Sequence, residues 1–319
     1  MVDEISDPRE SKVLDSEVSH LSHGCDGVSA IFQPLEIYGP SGTRAYVRTG
    51  LLYTHTILGG AYVVHELWSP NDLPDPLASI PYHAAELPGR DIQQIDGIWS
   101  DIYKDTTFSV SAAPILHSTP CVGYVITEAA VPGKIDPKHY FPHLERTGTS
   151  KSVMRQLQQG ESVVLSDGTV LQGPQKRAGR KLTILGDTYD PSPIAGLAMH
   201  ADILIHEATN SHLPGIDPDT KSEDTYSIVE KRSKSRGHST PQMAALFAAR
   251  VNARKLVLNH FSSRYAGDYD PATQHGDERP VAKETMEAIR ALAQSRFDGP
   301  VVCARDFMTF DVQHSYDVQ

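Results

Sequence analysis

A chain of 319 residues with 22% charged and 39% hydrophobic side chains can bury a full core and has the makeup of a soluble globular protein. Its formal charge of −11 argues against a general nucleic-acid binder, and three cysteines without paired spacing (Cys25, Cys121, Cys303) argue against a disulfide framework or a CxxC zinc knuckle. No apolar run approaches the roughly 18 residues that span a membrane, and the acidic start is unlike a secretory or mitochondrial leader; the expected location is therefore cytoplasmic or nuclear, with no membrane partner.

In chain order, residues 1–17 read as disordered, and VSHLSHGCDGVSA then sets His20, His23 and Asp26 close together. Leu35 to Tyr38 reads as a strand, Gly42 to Leu52 as a helix and Ala61 to Leu67 as a strand, followed by a Pro-rich loop from Ser69 to Leu87. Ser109 to Leu116 is a strand delivering His117, and Cys121 to Thr127 is its return. Residues 131–180 break this rhythm with a short helix near Lys151 to Gln159 and a hairpin around Asp167-Gly168, a DG turn between alternating apolar residues. The segment reads as a projecting arm. Between Val131 and Lys181 it carries nine Lys/Arg against four Asp/Glu, a local surplus in an acidic chain that suits phosphate contact, although a solvated loop would look the same.

Leu182 to Leu185 is a short buried strand stopping at Gly186-Asp187-Thr188; a short helix from Ile194 to His200 and a second strand, Ile203 to Ile205, end at His206-Glu207. His212 to Arg236 reads as a polar, mobile loop with a basic run at Lys231, Arg232, Lys234 and Arg236. QMAALFAARVNA has helical spacing, with Ser239 or Thr240 to cap it and Pro241 near its first position. Lys255 to Leu258 is a further strand ending at Asn259-His260, and a helix from Val281 to Gln294 and a strand from Val301 to Phe310 close the chain.

Ligands and catalytic groups collect at the carboxyl ends of strands in open α/β sheets. Asp187, His206 and Glu207 occupy such positions; alternatively, Asp187 caps the next helix and His206-Glu207 form a buried hydrogen-bonded pair. The second unit repeats the placement, with His238 before its helix and His260 after its strand. Fifteen histidines, several at strand ends, favour metal chemistry. His117, Asp187 and His260 offer imidazole and carboxylate ligands of the kind zinc takes, and one carboxylate can bridge two ions about 3.5–4 Å apart in hydrolytic sites.

HSTPCVGYVI, VPGKIDP, ILGDT, ILIHEAT, GHSTPQMAA and LNHFSSRY, in that order, resemble the tRNase Z family of the metallo-β-lactamase superfamily, and LEIYGPSG is similar to the segment after that family's first metal motif. The resemblance covers roughly residues 35–310. It implies a four-layer αβ/βα sandwich over 18–312, with the arm at 131–173 and a polar insertion at 212–236. It implies two Zn²⁺ per site and an endoribonuclease removing the 3′ trailer from precursor tRNA, with a homodimer among the expected assemblies.

Position by position, the resemblance makes His117 a ligand of one zinc, Asp187 the bridge and His260 a ligand of the other. His238, held by Glu207, would protonate the leaving 3′ oxygen, Arg264 would lie near substrate phosphate, and His206 would support the site from outside. The arm, with Lys134 and Lys138, matches the family's tRNA-gripping exosite, whose usual Gly-Pro pair is Gly148-Thr149 here. The family's His-x-His-x-Asp-His run and the strands before it are missing. In their place His20 and His23 supply metal-ligand types and Asp26 a carboxylate for the attacking water; alternatively, residues 1–30 are foreign to the family. Two further readings stand beside the enzyme: a catalytically impaired RNA-binding or dimerisation subunit, and a small-molecule phosphodiesterase or sulfatase of the same fold.

Overall fold

The computed structural model describes residues 33–73, 79–265 and 280–312. The expected disordered start, His20, His23, Asp26 and Cys25 lie outside these residues.

The first sheet is assembled from β1 (Leu35–Pro40), β2 (Tyr62–Trp68), β3 (Glu86–Leu87) and β4 (Asp91–Gln93), with β2 pairing parallel to the other three. Helix α1 (Thr43–Tyr53) lies against β1 and β2, tied down by the buried Arg48–Glu86 ion pair, 2.7 Å long, and by Arg44 at Glu66. The second sheet begins with the antiparallel strands β5 (Trp99–Lys104), β6 (Phe108–Ile115) and β7 (Cys121–Glu128).

The arm follows: α2 (Pro137–Thr147), a single 3-10 turn leading into α3 (Met154–Gln158), and the hairpin β8 (Ser162–Val164) and β9 (Val170–Gln172). Helix α2 goes beyond what the sequence pattern predicts, yet its ends are well marked. Asp136 caps it by accepting from the Lys138 N–H, Pro137 opens its first turn, and Gly148 closes it in the left-handed region at φ 64°. The arm packs on itself. Tyr140, Leu144, Leu157, Leu165 and Leu171 form a small core of their own, while the Val131–Arg177 bridge closes its neck.

The chain returns to the second sheet as β10 (Lys181–Ile184), antiparallel to β7, and continues through α4 (Ala195–Ala198) to β11 (Ile203–Glu207), parallel to β10. The segment expected to be a mobile loop contains α5 (Tyr226–Ser235), which Thr225 caps by accepting from the Ile228 N–H. Its polar composition conceals only two buried positions, Val229 and Ser233, which sequence periodicity does not resolve. Helix α6 (Pro241–Arg250) is capped by Thr240, and β12 (Leu256–Asn259), α7 (Pro280–Gln294) and β13 (Val301–Cys303) complete a seven-stranded sheet.

Two cores hold the layers together. Leu67 of β2 meets Trp99, Ile102, Ala112 and Val122 between the sheets, and the Tyr124 hydroxyl donates across the gap to Tyr38 O at 2.7 Å. Outside the large sheet, Leu204, Leu256 and Leu258 pack beneath Ala244, Phe247, Ala248 and Ile289 of α6 and α7. Helix, sheet, sheet, helix is the resulting α/β order. Among the described residues no helix is long and apolar enough to cross a membrane.

Candidate active site

His117, Asp187, Glu207 and His260 lie at or just past the carboxyl ends of strands, and His238 sits in the loop between α5 and α6. Asp187 follows β10, and Glu207 ends β11 with its carboxylate 1% exposed. A buried carboxylate needs hydrogen bonds to every side, and Glu207 collects them from three loops. Its Oε1 accepts from Thr188 N–H at 2.8 Å and from His238 Nδ1–H at 3.0 Å. Its Oε2 accepts from the Thr209 hydroxyl at 2.6 Å, Ser239 N–H at 3.1 Å and Thr209 N–H at 3.2 Å.

His238 is thereby held by one ring nitrogen, leaving the other for chemistry. His260, beyond β12, adopts φ 53°, a left-handed backbone that few non-glycine residues enter. Its Nε2 lies 3.3 Å from Asp187 Oδ2, and its ring stacks on His238 with centroids 5.5 Å apart. One ligand atom each from Asp187, His238 and His260 lies within 4.8 Å of the others. Asp187 and His260 offer a carboxylate and an imidazole of the kind zinc takes, while His238, tied to Glu207 through Nδ1, stands beside them with its other ring nitrogen free.

His117 sits at the end of β6, its ring centroid 5.1 Å from that of His238 but outside the trio. Its Nδ1–H donates to Gly237 O at 2.8 Å, fixing the tautomer and freeing Nε2, which the Ser118 hydroxyl approaches at 3.2 Å. The approach requires glycine, since a Cβ on Gly237 (φ 86°) would fall 2.4 Å from His117 Nδ1.

His206 is fully buried, its Nδ1–H donating to Glu207 O at 2.7 Å, and burial holds its pKa below the usual histidine range. It is a neutral brace under the site. Cys121 backs the Asp187 turn, and burial pushes its thiol pKa up. Arg264 turns to the buried carboxylate of Asp217 at 3.3 Å and to the Tyr265 hydroxyl, which anchors the 212–236 segment. Lys134 and Lys138 are exposed on the arm.

Thr188, Thr209 and Gly237 are site residues that sequence reasoning misses. Ser239 reads from the sequence only as a helix cap; its hydroxyl instead donates to Thr188 O at 2.6 Å and its N–H serves Glu207. The only sequence signal for these residues is their place inside ILGDT, ILIHEAT and GHST.

No family model matches the chain. It is 33% identical over 297 residues to zinc phosphodiesterase ELAC protein 1 of Bos taurus, a match covering 88% of this chain and 75% of that protein. It is 31% identical over 237 residues to ribonuclease BN of Erwinia tasmaniensis, covering 73% of this chain but only 62% of that relative's length. Among solved structures, the short form of human tRNase Z aligns with a TM-score of 0.49 at 26% identity, over 88% of this chain and 69% of that one. The bovine match, over three quarters of that protein with the site's strand-end residues in the resembling motifs, shows that the chain belongs to the ribonuclease Z family of the metallo-β-lactamase superfamily.

Proposed function

We propose that the chain is a zinc-dependent endoribonuclease that cleaves the 3′ trailer from precursor tRNA. The observation that carries this reading is the convergence of Asp187, His238 and His260 around the buried Glu207 carboxylate. The names of the relatives support zinc and the RNA substrate.

Asp187, His260 and His117 are the residues that would hold metal, and the two oxygens of the Asp187 carboxylate could serve two ions. Bound zinc supplies an activated water and charge stabilisation for phosphodiester displacement. Glu207 orients His238 through Nδ1, so His238 can give its other proton to the leaving 3′ oxygen, and Glu207 stabilises the ring while it is charged. Substrate is gripped at a distance by the exposed lysines of the arm. The partner we propose beyond tRNA is a second copy of the chain, supported by α1, whose Tyr46 and Tyr53 are 82% and 83% exposed on an apolar face.

The test is cleavage of a precursor tRNA by the zinc-loaded chain, beside bis(p-nitrophenyl) phosphate. Release of the trailer with a free tRNA 3′ hydroxyl, abolished by a chelator, is expected. His238→Ala should keep its metal and lose roughly 10²–10⁴-fold in cleavage. Hydrolysis of the small diester with precursor tRNA untouched would favour the phosphodiesterase reading instead.

A further inference from the structure

Thr209 enters above only as one of several donors to Glu207, yet its hydroxyl occupies the point where the proton-delivering pair meets the metal-holding loop. Thr209 Oγ1 lies 2.6 Å from Glu207 Oε2, 3.3 Å from His238 Nδ1 and 3.0 Å from His260 O. A hydroxyl has one proton and two lone pairs. Glu207 Oε2 and His260 O both accept from the hydroxyl, so its single proton is shared between them, chiefly toward the nearer carboxylate. The lone pairs then face the His238 Nδ1–H, whose donation is shared between Glu207 and Thr209. The weaker arm of the hydroxyl's donation reaches the carbonyl of His260, the residue held at φ 53°. Main-chain bonds reinforce the link, since Ser262 N–H donates to Thr209 O at 3.1 Å and Ala208 N–H to Asn259 O at 2.9 Å.

Satisfying the buried charge does not explain this placement. Without the hydroxyl, Glu207 still accepts from Thr188, Thr209 and Ser239 N–H groups and from His238. What the hydroxyl adds is a fixed spacing between His238, Glu207 and the His260 turn.

We infer that Thr209 is a positioning residue, whose γ-hydroxyl sets the His238 ring against Glu207 and keeps the His260 turn in register as a metal donor. The inference rests on the reading of His238–Glu207 as the proton-delivering pair and of His260 as a zinc ligand.

The test compares Thr209→Val, which keeps shape and loses the hydroxyl, with Thr209→Ser, which keeps the hydroxyl, in the full chain. Zinc affinity is measured by competition with a chromophoric chelator, with thermal melting as the folding control. Thr209→Val should bind zinc about 10–100-fold more weakly, the usual cost of removing a group that orients a ligand, and Thr209→Ser should restore it. In cleavage of precursor tRNA, Thr209→Val should lower kcat with KM little changed and move the limb of the pH profile that reports His238. Should Thr209→Val fail to fold, Thr209→Ala takes its place with the same expected loss. Unchanged zinc affinity without the hydroxyl, or a serine that does not rescue, overturns the inference. A parent chain that binds zinc but leaves precursor tRNA intact would sink the proposed function, while the zinc comparison would still decide the role of Thr209.

Discussion

Asp187 and the proposed donor histidines His117 and His260 differ in how many ions each can touch, and that difference can be measured. A carboxylate has two oxygens and can serve two metals, whereas each imidazole serves one through a single nitrogen. Asp187→Ala should therefore lose more zinc per chain than either His117→Ala or His260→Ala, as read by native mass spectrometry; equal loss in all three would count against a bridge. Residues of this kind are legible in the sequence because they sit at strand ends inside recognisable motifs. The hydrogen bonds that hold them are not. Thr188, Thr209 and Ser239 reach Glu207 from three separate loops, and no local spacing reveals that they share one carboxylate. His117 is legible as a donor, but its tautomer is set by Gly237 O, 120 positions away in the chain.

At the scale of elements, the strands of the large sheet are readable because each is a short apolar run stopped by a polar pair. Helices α2 and α5 escape the sequence pattern for a different reason. Helix α5 buries only Val229 and Ser233 and so shows a weak apolar stripe, and Pro142 inside α2 reads as a break although the helix continues through it. The Asp136-Pro137 start and the Gly148 stop are the available signals. The arm's apolar residues also do not anchor it to the body; they close on one another. Replacing Lys134 to Gln172 with a short Gly-Ser linker should thus leave the circular dichroism and melting of the body unchanged, since the excised core shares no side chain with the other two. The truncated chain should bind tRNA more weakly and with a flatter dependence on salt, by roughly 0.7–0.9 in log–log slope for each phosphate that the arm neutralises. Unchanged affinity and slope in a folded variant would reduce the arm to a solvated appendage.

For the molecule as a whole, stability should decline on the acid side. His206 is buried neutral, and burial also lowers the pKa of His65, with the neighbouring Arg90 charge acting in the same direction. The unfolded chain takes up protons at these histidines near pH 6.5 that the folded chain refuses. Their contribution is therefore fully present above that pH and is lost as the pH falls below it, by up to about 1.4 kcal/mol per pH unit for each proton. Melting in chelator from pH 8 to pH 5 should show the decline, and His206→Asn, which cannot titrate, should make it shallower by one proton's worth. An unaltered slope would mean that His206 is protonated in the folded state. The separate packing of the arm has a further consequence, for descent rather than for stability. A segment with its own core and a neck closed by the Val131–Arg177 bridge could be exchanged between related chains without disturbing the Asp187 and His260 loops. Under the proposed roles, choice of RNA and chemistry at the phosphate could then drift independently, each open to change while the other is preserved.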